Sequence, residues 1–148
     1  MTVSPENQQL EQLLLAALEA LTHGDVRPWP AMFTENGVQE FPYAPAGYPK
    51  KVAGQKAIAA YLADYPEKFE LYRINQPTFY HSPGVLVAEF SVEGKAVQTG
   101  NPYNQQYISV IEHREGRITR YVDYWNPQVA AAALGGDEAF YSFGNKTK

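Results

Sequence analysis

Tyr121-Val122-Asp123-Tyr124-Trp125-Asn126-Pro127 reads as a strand that runs straight into the start of a helix. Side chains alternate between the two faces of a strand, so Tyr121, Asp123 and Trp125 share one face while Val122 and Tyr124 share the other. Asn126 has the side chain of an N-cap, and Pro127 suits the first helical position, where its missing N–H costs nothing. An Ala-rich turn or two follows. A lone carboxylate among aromatic neighbours has two readings. It is paired and structural, or it sits in a pocket and moves protons.

Upstream of this strand, Arg114-Glu115-Gly116-Arg117 reads as a hairpin turn from a strand over residues 103–113, itself entered through the turn Gly100-Asn101-Pro102. Residues 85–97 form a long strand with a bulge or bend at Glu93-Gly94, after a turn at His81-Ser82-Pro83-Gly84. Residues 69–80 are extended but interrupted at Asn75-Gln76-Pro77. The earlier half is helical. Ser4 caps and Pro5 opens a first helix whose Leu10, Leu13, Leu14, Ala17, Leu18 and Leu21 recur at helical spacing, ended by His23-Gly24-Asp25. Residues 29–33 make a short second helix, and residues 54–65 a third, closed by Pro66. Between them lie an Asn36-Gly37 turn, a short strand over residues 38–41 and a loop over residues 43–51, either a connector or a flap over a pocket. Helices followed by a strand meander give an α+β layout with helices on one face of a curved sheet. The expectation is one domain over residues 1–148, with a mobile tail from Gly135-Gly136 onward. Leu14, Leu18, Phe33, Ile58 and Leu62 are expected in the core.

At 148 residues the chain is long enough to bury a sizeable core. A net charge of -4 with no basic run argues against a nucleic-acid partner, which needs clustered Lys and Arg. No apolar run approaches a membrane span, and Met1 to Glu6 lack the pattern of a signal peptide, so a soluble cytoplasmic protein is expected. The chain has no cysteine, hence no thiolate nucleophile or Cys-based metal site. His23, His81 and His113 fall in no metal-ligand spacing, and His113, near the hairpin turn, is expected to be exposed. No phosphate loop, dinucleotide fingerprint or nucleophile elbow appears, so no cofactor is expected. The 11 Tyr, 7 Phe and 2 Trp suit a ligand cavity, or simply a β-rich protein.

Parity alone leaves open which face lines a pocket. On the last strand the sets are Thr119, Tyr121, Asp123 and Trp125 against Ile118, Arg120, Val122 and Tyr124. On the strand before it they are Tyr103, Gln105, Tyr107, Ser109 and Ile111 against Gln106, Ile108, Val110 and Glu112. Gly100-Asn101-Pro102-Tyr103-Asn104-Gln105-Gln106-Tyr107, Glu115-Gly116-Arg117-Ile118 and Asp123-Tyr124-Trp125-Asn126-Pro127 resemble the SnoaL-like branch of the nuclear-transport-factor-2-like superfamily. So do Glu40-Phe41-Pro42-Tyr43-Ala44-Pro45 and Gly54-Gln55-Lys56-Ala57-Ile58, with particular similarity to phenazine-biosynthesis A/B proteins. The resemblance implies a ketosteroid-isomerase-like fold: three N-terminal helices on a strongly curved antiparallel sheet, enclosing a cone-shaped cavity, usually as a dimer. It places on Asp123 the general acid of the phenazine-type proteins, there a glutamate, and an aspartate of limonene epoxide hydrolases. The departures count too. The second acid of the epoxide hydrolases falls on Ser109 and their arginine on Tyr107. The ketosteroid isomerase base falls near Phe41 and its partner acid near Ser109. The helix-three histidine of the phenazine-type proteins has only Tyr61 or Tyr65 nearby.

The enzyme reading makes Asp123 the catalytic acid/base of a cofactor-free isomerisation, cyclisation or condensation/dehydration on a hydrophobic cyclic or polyketide-like metabolite. Its pKa would be raised by desolvation. Tyr103, Tyr107, Ser109 and Tyr61 are candidates to hydrogen-bond the substrate oxygen, with Tyr65, Tyr121, Trp125, Phe41 and Phe33 as further pocket residues. Glu40 is a second candidate acid, expected to be exposed. The alternative is a non-catalytic binding protein for a hydrophobic small molecule. With Asp123 inward, Ile108, Val110, Val122 and Tyr124 point outward, and the expectation is a homodimer through that outer face.

Overall fold

The computed structural model describes residues 3–136, so the tail expected to be mobile lies, but for Gly135 and Gly136, outside the described residues. The order is α1 (Pro5–Leu21), α2 (Pro28–Ala31), β1 (Phe33–Glu40), β2 (Lys51–Ala53), α3 (Gln55–Leu62), α4 (Tyr65–Lys68), β3 (Phe69–Ile74), β4 (Thr78–Ser82), β5 (Val85–Ala96), β6 (Pro102–Arg114), β7 (Arg117–Trp125) and α5 (Pro127–Ala133). Ser4 accepts a hydrogen bond from the Asn7 amide and Asn126 one from the Gln128 amide, so both helix starts are capped as their side chains dictate.

β5, β6 and β7 form an antiparallel meander, with β3 and β4 both pairing onto β5. β1 joins at the far side in parallel with β7 and carries β2 as an antiparallel edge. The path β2-β1-β7-β6-β5-β3 has two free ends, so the sheet is open and mixed, neither closed nor strongly curled. This corrects the expectation of a strongly curved antiparallel sheet forming a cone. β1 extends the meander sideways instead of folding it back on itself. The three expected helices are four, because Pro66 sits in the first turn of α4 and starts it instead of ending α3, and α5 follows the sheet.

The core lies between the helices and one sheet face. Leu14, Leu18, Phe33, Ile58 and Leu62 are all buried in it, worth about 1.5–3 kcal/mol for each side chain of this size taken from water. On α1, Leu13 falls off the stripe and is partly exposed. The inward set on β6 is Tyr103, Gln105, Ser109 and Ile111, with Ile108 on the outside. β7 obeys neither simple parity set. The register slips at Thr119, since Glu112 opposes Arg120 while His113 opposes Ile118, and both Ile118 and Tyr121 thereby face the core.

The expected Asn36-Gly37 turn is part of β1, at a register shift against β7. A Cβ on Gly37 would stand 2.7 Å from the Ile118 carbonyl, so the glycine serves close packing of two strands and not a reversal of the chain. The irregularity expected at Glu93-Gly94 falls on the neighbouring strand, where β3 slips between Leu71 and Arg73. Gly94 is where the two backbones come closest, an added Cβ lying 2.2 Å from the Glu70 carbonyl. The interruption at residues 75–77 separates two strands, and His81 and Ser82 belong to β4 and not to a turn. His113 is buried, against expectation. It is hydrogen-bonded to Asn7 of α1, whose amide group also donates to the Ser82 carbonyl, so the end of the β6–β7 hairpin is tied to the first helix.

Candidate functional site

A cavity of about 120 Å³ opens between the inner sheet face and helices α1 to α4. Leu18, Leu21, Leu62, Leu71 and Val92 give it apolar walls, and aromatic rings close the rest. Tyr48 reaches it from the loop of residues 41–50, its ring centroid 6.3 Å from that of Trp125. The loop read as flap or connector therefore supplies part of the wall.

Asp123 projects into this space from β7, opposite Ser109 of β6. Its side chain is half-buried on the cavity wall. β1 lies beside β7 with Gln39 in register with Tyr121. From there the Gln39 amide Nε2–H donates to Asp123 Oδ2 at 3.4 Å, while its Oε1 accepts from the Trp29 indole N–H at 3.0 Å. An indole N–H only donates, so it fixes which end of the Gln39 amide faces Asp123. Among the described residues, no Lys or Arg ion-pairs with Asp123. Burial pushes its pKa up to about 7, and the Gln39 hydrogen bond pulls weakly the other way.

Tyrosines line much of the cavity, with Tyr103 and Tyr107 on β6 beside the strand of Asp123, Tyr121 on that strand itself, and Tyr61 and Tyr65 reaching in from α3 and the start of α4. The hydroxyls of Tyr103 and Tyr107 are 2.8 Å apart, and Tyr107 also hydrogen-bonds Tyr65. Burial, with a contribution from the nearby Asp123 charge, raises the pKa of Tyr61, Tyr65, Tyr107 and Tyr121, and brings that of Tyr103 to about 12. All five are neutral donors at physiological pH. The Phe41 ring stacks at 5.2 Å on Tyr61, and both line the cavity. Ser109 and Phe33 stand behind the wall. Ser109 accepts the Tyr121 hydroxyl at 2.6 Å, and Phe33 packs against the Tyr121 ring. Tyr121 and Trp125 border the cavity itself.

Glu40 points away from this space and is half-buried, not exposed. Its carboxylate takes the Arg120 guanidinium at 2.6 Å, and Arg120 also holds Glu112 at 2.7 Å. The hydrogen bond from Arg120 lowers the Glu40 pKa, which leaves Asp123 the one carboxyl facing the cavity among the described residues. Among the described residues no group of three or more His, Asp or Glu side chains is arranged to hold a metal. Gln39 and Trp29 were absent from the sequence-based candidates. The signal for Gln39 was there, since a strand that turns Phe41 inward turns the residue two before it inward as well. Nothing local foretold that Trp29 would meet it.

Residues 14–121 match the model of the SnoaL-like domain. The chain is 49% identical over 114 residues to the Bacillus subtilis protein YesE, covering 76% of this chain and 78% of that protein. It is 38% identical over 131 residues to a PhzA/B-like protein of Pseudomonas aeruginosa, covering 87% and 92%. The crystal structure of a provisionally named isomerase from Bacillus subtilis superposes with a TM-score of 0.86 at 43% identity, over 90% of this chain and 98% of that one. The chain belongs to the SnoaL-like domain family.

Proposed function

We propose that the chain is a cofactor-independent enzyme in which Asp123 transfers a proton within a hydrophobic, ring-bearing metabolite, in an isomerisation, cyclisation or condensation/dehydration. One observation carries the reading: a carboxyl whose pKa burial raises to about 7 faces an aromatic cavity with no cationic partner among the described residues. An acid of that pKa is present in both forms at neutral pH, so it takes a proton from an activated carbon and returns it elsewhere with little driving force lost. The neutral hydroxyls of Tyr103 and Tyr107, already ordered by their mutual bond, donate to the oxygen on which negative charge gathers. Gln39 is a positioning residue, holding the carboxylate through Trp29.

The provisional isomerase designation of the Bacillus subtilis relative supports the same reaction class. The test is Asp123→Asn, which keeps the shape and removes the titrating proton. Against a panel of ring-containing metabolites, turnover should fall by ~10²-fold or more while binding persists. Equal turnover by the two proteins would overturn the mechanism. A ligand bound by the wild type but never converted would establish a binding protein instead. The working unit is a homodimer built on the outer sheet face, where Ile108 remains 44% exposed.

A further inference from the structure

The size and charge of the cavity together narrow what it holds. Apolar cavities of about 150 Å³ accommodate a benzene ring, and this one is about 120 Å³. Its described lining has one carboxylate, Asp123, and no Lys, Arg or His. The guanidinium closest in sequence to Asp123, that of Arg120, is spent on Glu40 and Glu112 on the other side of the sheet. A carboxylate or phosphate entering the cavity would lose its hydration, find no cation, and meet Asp123 at short range. A cation would find aromatic faces and, once Asp123 is ionised, a carboxylate, so the lining excludes anions and not cations.

The polar groups that do face inward are the Asp123 carboxyl with its Gln39 amide and, on the neighbouring strand, the hydroxyls of Tyr103 and Tyr107. Such groups satisfy a carbonyl or hydroxyl oxygen. We infer that the ligand is a compound without anionic groups, built on a single six-membered ring and carrying a carbonyl or hydroxyl oxygen. The inference rests on the acid/base reading in that it takes the same cavity as the site.

The experiment is a set of NMR titrations of the full chain at pH 8 with three probes: benzyl alcohol, benzoate and 1-naphthalenemethanol. The indole N–H signals of Trp29 and Trp125, both on the cavity wall, report the site. Benzyl alcohol should shift these signals and bind at least about 10-fold tighter than benzoate, the scale of a desolvated charge facing its like. It should also bind tighter than the two-ring alcohol. Benzoate binding as tightly would overturn the charge assignment. Tighter binding of 1-naphthalenemethanol would overturn the single-ring assignment, and unmoved indole signals with benzyl alcohol would overturn the site. The titrations read binding without turnover. A catalytically silent Asp123→Asn result therefore leaves them standing, and their failure leaves the proton-transfer test intact.

Discussion

Asp123 costs the fold stability wherever it is ionised. Its pKa is raised from the ordinary 3.8 to about 7, so between those values the folded chain keeps a proton that the unfolded chain has already lost. Stability from this group is therefore full at acid pH and is lost as pH rises from about 4 through 7. Asp123→Asn removes the penalty. Its melting temperature should match the wild type near pH 4 and exceed it at pH 8–9, a comparison that thermal unfolding makes directly. The Gln39 amide works in the opposite direction, since it favours the ionised form. Gln39→Leu should raise the Asp123 pKa further, and Trp29→Phe should do so more weakly by freeing the amide to turn. A carboxyl titration by carbon-13 NMR reads both without a substrate. An unchanged Asp123 pKa in Gln39→Leu would show that the 3.4 Å contact carries no weight.

Among the elements, β3 and β5 show how close packing replaces side-chain interlock. Leu71 opposes Gly94 and Arg73 opposes Glu93, so one residue of β3 is left over and its backbone moves in against the glycine. Gly94→Ala would drive a Cβ to 2.2 Å from the Glu70 carbonyl, and neither backbone has room to retreat without breaking the ladder. Steric overpacking of this kind costs about 1–3 kcal/mol, so chemical denaturation should show a loss in that range. The slip at Thr119 on β7 serves the site more directly. It lets Ile118 fill the core while Tyr121 and Asp123 keep the phase that faces the cavity. The hairpin that sets this phase is held at its tip end by the buried His113 and Asn7 pair.

For the whole molecule, the open sheet leaves an outer face to be explained. Of the four apolar residues expected there, Val122 is already covered within the chain, Val110 and Tyr124 are half-buried, and Ile108 is exposed. The apolar patch is thus smaller than the alternation suggested, and Ile108 is its centre. The proposed dimer should show twice the 16.6 kDa chain mass by light scattering at micromolar concentration. Ile108→Arg should return it to a monomer with its helical and sheet content intact. A monomeric wild type, or a dimer that survives Ile108→Arg, would remove the outer-face interface.

Much of this was legible in the chain before any coordinates. The two capped helix starts, the leucine stripe of α1, the hairpin at residues 114–117 and the family itself are local features, written in spacing and in short motifs whose physical causes act within a few residues. Asp123 was legible as the lone acid on an aromatic strand face. Tertiary structure decided the rest, because it depends on which distant segments meet. The parallel pairing of β1 with β7 opened the sheet that was expected to close into a cone, and it brought Gln39 against Asp123 across 84 residues of chain. Bulges at Gly37 and Thr119 shifted side-chain phase in ways that a strict period of two cannot anticipate. The exposure of Glu40 was likewise settled by a partner, Arg120, 80 residues away. Local propensity shapes elements, while register between strands far apart in sequence selects which side chains share a cavity.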